Sequence, residues 1–272
     1  MGDENIRKRI FSYIAFDATH LSFYIVKSYF LFIKDKLNSM IYKTTDLSLE
    51  ALHWRRYYNE QNIKNSLKTL LLPGETKESI KLAVKYLEDK KLKKINCLDV
   101  GCGPISQFYS EFFQDTINYN IISVDPLAKV YNEIHERYKS LYNIVCLEGF
   151  GENLQELFFD NNFDLIYSQN AIDHSQDPIS FIDSCYKVLK NEGLLILHGF
   201  IKEGTAARWL GLHNWNIEVK GNDLLLTDKA KKFNRYNLTK DYNFTVLYRV
   251  VTGKNISDTY TFIFLKNEEN EN

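Results

Sequence analysis

Charge of one sign is missing from this chain. Its 272 residues carry 34 Lys and Arg against 35 Asp and Glu, a formal net charge of −1. That balance leaves no electrostatic footprint for a phosphate backbone, so no nucleic-acid partner is expected. C-x-x-C spacing is missing too. The four cysteines are Cys97, Cys102, Cys146 and Cys185; two of them, Cys97 and Cys146, fall in strand-like runs and read as buried thiols of a reducing compartment. The apolar run from Leu21 to Ile33, interrupted by Ser and Lys27, falls short of the roughly 20 residues that span a bilayer. It follows Arg7-Lys8-Arg9 as a signal peptide would, but lacks a small-residue cleavage site. Behind Met1-Gly2, position 6 is Ile6 where myristoylation wants Ser or Thr. A cytoplasmic protein without a membrane span is expected, and no internal repeat is evident.

What is present suits a sizeable core, since 44% of the residues are hydrophobic. Length fits one large α/β domain, or one domain with an appendage. Residues 1–74 read as an N-terminal helical extension or lid: Phe16, Leu21, Tyr24, Ile25, Ser28 and Phe32 include helical spacings, and Glu50, His53, Trp54, Arg55 and Arg56 form a polar–aromatic cluster. Pro73-Gly74 then breaks the chain. Residues 75–272 read as the main domain, opening on a helix with Ile80, Ala83, Val84 and Leu87 on one face and lysines at its end. Apolar strand-like runs follow at 95–100, 121–124, 144–147, 163–167 and 194–197, alternating with helical patterns. This alternation predicts a mostly parallel sheet covered on both faces. Within the main domain, 95–200 is the core and 201–235 an insertion carrying a hairpin turn at Gly221-Asn222-Asp223. Residues 241–266 supply two antiparallel strands at the sheet edge.

The chain is organised around Leu98-Asp99-Val100-Gly101-Cys102-Gly103-Pro104. A strand runs into a glycine turn, followed by an amphipathic stretch with Ile105, Phe108, Tyr109, Phe112 and Phe113. Strand, glycine turn and helix is the unit that brings backbone N–H groups against a nucleotide-like ligand. The dinucleotide fingerprint would need glycine or alanine at 106, where Ser106 stands. The next strand ends at Asp125-Pro126, about twenty residues further on, where a carboxylate can accept both hydroxyls of a ribose.

These residues resemble motif I of the class I S-adenosylmethionine (SAM) methyltransferases, an acidic residue followed by G-x-G. Three further stretches at compatible spacing carry the same resemblance. Gly149-Phe150-Gly151-Glu152-Asn153-Leu154 is similar to the family's G-D-A-E-x-L, with Phe150 for the acid. Phe163 to Pro178 is similar to its F-D-x-(apolar)-x-S-x-x-(apolar)-x-H-x-x-D-P. Val188-Leu189-Lys190-Asn191-Glu192-Gly193 stands for V-L-K-P-G-G, with Asn191-Glu192-Gly193 read as the turn from the preceding helix into the strand at 194–197. The resemblance implies a Rossmann-like seven-stranded, mostly parallel sheet with an antiparallel C-terminal ribbon, and SAM as cofactor. It also implies cofactor contacts from Asp99, Gly101, Cys102, Gly103, Asp125, Pro126, Phe150, Gly151, Glu152, Ser168, Gln169 and Asn170.

The expected reaction moves a methyl group to a small polar acceptor, a saccharide or its precursor among the candidates. An RNA or protein methyltransferase and a SAM-binding, non-catalytic interaction protein are the alternatives. His174 and His213 are the candidate bases, with His198 behind them. Arg208, Trp209 and Trp215 in the insertion suit a polar, ring-shaped or anionic acceptor. Metal dependence would need several ligands on one hard cation; Asp173 and Asn170 stand without a clear third, so no metal is expected.

Overall fold

The computed structural model describes residues 46–70, 74–108, 119–138, 145–228, 233–236, 241–253 and 258–268. The apolar stripe expected between Phe16 and Phe32, the helix expected through Phe112 and Phe113, and Pro73 lie outside them. In chain order the elements are α1 (Asp46–Tyr57), α2 (Glu60–Leu70), α3 (Glu75–Asp89), β1 (Ile95–Val100), β2 (Tyr119–Asp125), α4 (Ala128–Arg137), β3 (Cys146–Glu148), β4 (Phe163–Gln169), α5 (Pro178–Val188), β5 (Leu189–Phe200), α6 (Glu203–Ala206), β6 (Trp215–Lys220), β7 (Asp223–Asp228), β8 (Phe233–Tyr236), β9 (Phe244–Val251) and β10 (Thr259–Lys266). Short 3₁₀ turns cover Gly151–Glu156 and Ile172–His174.

Seven strands form one sheet in the order β3-β2-β1-β4-β5-β10-β9, with β1 to β5 parallel and β10 antiparallel to both neighbours. This is the Rossmann-like sheet with its antiparallel ribbon. Strand composition explains the order: Phe163, Leu165, Ile166 and Tyr167 of β4 are fully buried, which a strand covered on both faces requires. Each such side chain contributes about 1.5–3 kcal/mol of burial. Helix α3 lays Ile80, Ala83, Val84 and Leu87 against one face. On the other face Phe181, Ile182, Cys185 and Val188 of α5 pack. Asp177 caps α5 by accepting from the Ile179 N–H (3.0 Å), and Pro178 occupies its first turn.

Two details depart from expectation. Asn191-Glu192-Gly193 does not separate helix from strand; it bulges within a longer β5, where the register against β4 jumps from Phe163–Leu189 to Leu165–Leu194. Glu192 takes the left-handed conformation (φ 59°) that the bulge needs. The hairpin turning at Gly221 does form, but its strands β6 and β7 join β8 in a separate three-stranded antiparallel sheet. Among the described residues no helix is long and apolar enough to cross a membrane.

The F-D pair at the start of β4 is structural. Buried Asp164 accepts from the Asn96 N–H of β1 (2.8 Å) and pairs with Lys190 (2.8 Å), joining three strands. At the other edge buried Lys266 of β10 donates to the Tyr186 and Leu189 carbonyls (3.0 and 2.9 Å) and so caps the end of α5. Replacing Lys266 by Met orphans those carbonyls. Stability should drop by about 2–3 kcal/mol and the melting temperature by roughly 5–10 °C, measured by calorimetry.

Candidate functional site

The chain runs from β1 out to β2 and β3 on one side, then returns to β4 and β5 on the other. This reversal leaves a crevice between the C-terminal ends of β1 and β4, where open α/β sheets bind ligands. Gly101 and Gly103 both take positive φ (67° and 62°). Their roles differ. A Cβ on Gly101 would lie 2.3 Å from the Ala171 Cβ, so this glycine lets the β1 turn close on the tip of β4. A Cβ on Gly103 would meet nothing within 4 Å, which leaves the open side of the turn for a ligand.

The turn is held from below and from the side. Asp99 is buried and accepts from the Ser106 hydroxyl (2.5 Å) and the Gln107 N–H (3.3 Å). Burial pushes its carboxyl up to about 7 against those two hydrogen bonds. Asp99 thus braces the turn from within. His135 of α4 contacts the Pro104 carbonyl at 2.6 Å; sequence reading missed this brace, since nothing in its helical spacing marks it. Asp125 accepts from the Gly103 N–H (3.1 Å) and the Leu127 N–H (2.8 Å). Burial raises its carboxyl to about 6, while those two amides and His174 pull the other way. Each oxygen keeps a further lone pair for a ligand hydroxyl. Cys102 Sγ lies 3.3 Å from Cys146 Sγ, and both are free thiols. Pro126 is half-buried beside Asp125.

At the next tip Phe150 exposes its ring (39%), as a flat ligand's neighbour would. Gly151 is small for another reason: a Cβ there would strike the Phe181 ring at 2.1 Å. Glu152 accepts from the Gln176 N–H (2.7 Å) and so secures the loop leading into α5. At the end of β4, Ser168 Oγ and Asn170 Oδ1 are buried without a hydrogen-bond partner. Unpaired buried polar atoms are costly, and these two stand beside the crevice. Gln169 instead accepts from the Tyr167 hydroxyl (2.7 Å).

Beyond the β4 tip the structure brings the two candidate bases together. His174 Nε2 lies 3.0 Å from His213 Nδ1, and the two nitrogens lie 3.2 and 3.1 Å from Asp173 Oδ2. Burial would raise the Asp173 carboxyl, but the two histidines outweigh it and hold the carboxyl below its ordinary value. Burial would lower His174; Asp173, with Glu50 and Glu203, outweighs it and raises the imidazole instead. His213 is positioned by its neighbours: Asn214 N–H donates to the Asp173 carbonyl (3.0 Å) and Trp215 Nε1 to the Ser175 carbonyl (3.0 Å). Trp215 therefore staples the insertion to the loop after β4 and packs against the core. Trp209 lies over Gly204, whose Cβ would sit 2.7 Å from the indole, and neighbouring Arg208 is exposed. His198 is buried in β5, within hydrogen-bond reach of Thr261 (2.8 Å). Burial pushes it down to about 4. From α1, Glu50 is close enough for its charge to act on both Asp125 and His174.

The profile of the family described as "Methyltransferase domain" matches residues 98–197. The chain is similar to the tRNA U34 carboxymethyltransferase of Sulfurimonas denitrificans, at 30% identity over 42% of this chain and 37% of that protein. It is also similar to the ubiquinone biosynthesis O-methyltransferase of Pelagibacter ubique, at 27% identity over 66% of this chain and 78% of that one. Among solved structures, the N-methyltransferase NodS of Bradyrhizobium japonicum shows 14% identity and a TM-score of 0.47, covering 78% of this chain and 100% of its own. The chain thus spans little more than a third of the length of the first of these relatives.

Titrating the histidine ring signals by NMR should place His198 near pH 4 and His174 above its ordinary value. Because the unfolded chain takes up the His198 proton first, stability falls as pH drops from about 6.5 to 4. His198→Gln should flatten that part of the profile.

Proposed function

We propose that this chain, whose residues 98–197 match the family described as "Methyltransferase domain" and carry the motifs that resemble the class I SAM methyltransferases, transfers the methyl group of SAM to a hydroxyl of a small polar acceptor. The observation that carries the reading is the pairing of an open-sided glycine turn and Asp125 with the Asp173–His174–His213 cluster beyond the same crevice.

The residues present fit the cofactor. Gly103 leaves room where a nucleoside would press, Asp125 has lone pairs to receive ribose hydroxyls, and Phe150 offers a ring for the adenine. Ser168 and Asn170 offer the partner-seeking oxygens that a bound ligand satisfies. When bound, SAM supplies a methyl group on a sulfonium, electrophilic without further activation.

The chain's task is then to hold the acceptor in line, exclude water and draw off a hydroxyl proton. Asp173 holds His174 and His213 beside the place from which that proton must leave. The two histidines are about a quarter exposed (28% and 27%), open to an entering acceptor, while Asp173 is buried. Arg208, Trp209 and Trp215 flank this side in the insertion; Trp215 serves the pocket by fixing His213, and exposed Arg208 is free to meet an anionic substituent. Glu50 of α1 brings a negative charge near Asp125. The resemblance to a ubiquinone biosynthesis O-methyltransferase favours methylation on oxygen and gives no support to the saccharide considered from sequence. The resemblance to a tRNA carboxymethyltransferase favours a second reading, an RNA acceptor, against which the net charge of −1 weighs.

Titration calorimetry with S-adenosylhomocysteine should show at least tenfold weaker binding to Asp125→Ala; unchanged affinity would remove Asp125 from the site. For the wild-type chain, affinity should fall as pH drops through about 6, where Asp125 takes up a proton. His213→Ala should keep cofactor affinity and lose most turnover.

A further inference from the structure

Asp173 Oδ2, His174 Nε2 and His213 Nδ1 form a nearly equilateral triangle with sides of 3.0, 3.1 and 3.2 Å. Hydrogen bonds alone do not satisfy it. Two imidazole nitrogens and one carboxylate oxygen share three edges. If both nitrogens carry protons, two donors face each other across 3.0 Å. If either lacks its proton, a lone pair faces the carboxylate at about the same distance. With Asp173 ionised, as its lowered carboxyl favours, every arrangement of the ring protons sets like against like on one edge. A cation at a common vertex removes the conflict. For metal–nitrogen and metal–oxygen bonds of about 2.1 Å meeting at right angles, the ligand atoms lie about 3.0 Å apart, which is the triangle observed. The two rings are perpendicular (89°), with centroids only 4.3 Å apart. Two rings whose nitrogens point straight at each other across 3.0 Å would stand further apart, so the nitrogen directions are bent away from the line between them.

We infer that Asp173, His174 and His213 bind a divalent first-row metal ion through one face of its coordination sphere. Among the described residues these are the group whose ligand atoms lie mutually close enough to do so. Two imidazoles and one carboxylate meeting at right angles favour iron(II), cobalt(II) or zinc holding more than four ligands over magnesium or calcium, which prefer all-oxygen sites. The charges acting on His174 from Asp173, Glu50 and Glu203 are all negative and favour a cation further. The absence of a third ligand behind the sequence-based expectation of no metal is answered by His213, 39 residues from His174.

Three protein ligands leave positions open, and the partial exposure of both histidines puts those positions on the acceptor side. This deepens the reading above and rests on it: an acceptor hydroxyl oxygen bonds to the metal, its O–H bond breaks, and the proton leaves to water. The metal lowers the hydroxyl's pKa in the way it lowers that of bound water. His174 and His213 then act as ligands, and no free imidazole is needed as base.

The test uses the full chain, stripped with EDTA and dialysed. Titration with Co²⁺ should produce visible d–d absorption saturating at one ion per chain, and calorimetry with Zn²⁺ should give the same stoichiometry. His213→Ala should weaken both at least tenfold, and the exposed-residue control His53→Ala should not. His174→Gln serves the same purpose should His213→Ala not fold. Absence of cobalt absorption in the wild-type chain, or binding that survives both cluster variants, overturns the metal site. S-adenosylhomocysteine binding measured on the same stripped protein separates the two claims. A chain that binds the nucleoside but no metal keeps the methyltransferase reading and loses this one.

Discussion

Two backbone N–H groups converge on one buried carboxylate. Asp125, at the end of β2, receives the Gly103 N–H from the β1 turn and the Leu127 N–H from the start of α4. The Val124 carbonyl beside it receives the Gly101 N–H at 2.8 Å. These contacts lock the tips of two neighbouring strands together. Without them a glycine turn free to adopt many conformations would lose its shape, since glycine restricts the chain least. Once they are made, the open side of Gly103 and the remaining lone pairs of Asp125 face one crevice. That geometry is preorganised before any ligand arrives, and preorganisation is what converts contacts into affinity.

The arrangement carries a cost. Asp99 and Asp125 are both buried carboxylates with raised pKa values, so each ionised form is less welcome in the folded chain than in water. Ser168 and Asn170 leave buried oxygens unpaired nearby. Groups that weaken the empty fold yet gain partners from a bound molecule collect at binding sites. The core compensates through β4, whose apolar side chains are fully buried, and through the buried polar contacts of Asp164 and Lys266.

Local chemistry was legible in the sequence. The glycine turn, Asp125 at the following strand end, the Asp177-Pro178 helix start and the Gly221 hairpin each depend on a few adjacent residues, and each stands where local rules put it. Legibility ended where partners come from afar. Nothing near Asp173 announces that His213 returns across the insertion, because Asn214 and Trp215 set that approach through contacts made only in the folded chain. Gly151 read as a ligand-side glycine, whereas its small size serves the Phe181 ring. Glu152 stood among the cofactor contacts that the resemblance implies, and nothing nearby in sequence announces that its carboxylate accepts from the Gln176 amide. The Asn-Glu-Gly stretch read as a turn, and pairing between β4 and β5 absorbed it as a bulge.

One donor nucleoside resting across successive strand tips, its sugar held by Asp125, is the claim on which the functional account stands. A crystal structure of the chain with S-adenosylhomocysteine tests it most directly. The account predicts both ribose hydroxyls within hydrogen-bond distance of the Asp125 carboxylate, with the nucleoside lying against Gly103 and Phe150. A nucleoside bound elsewhere, or a ribose turned away from Asp125, would contradict it.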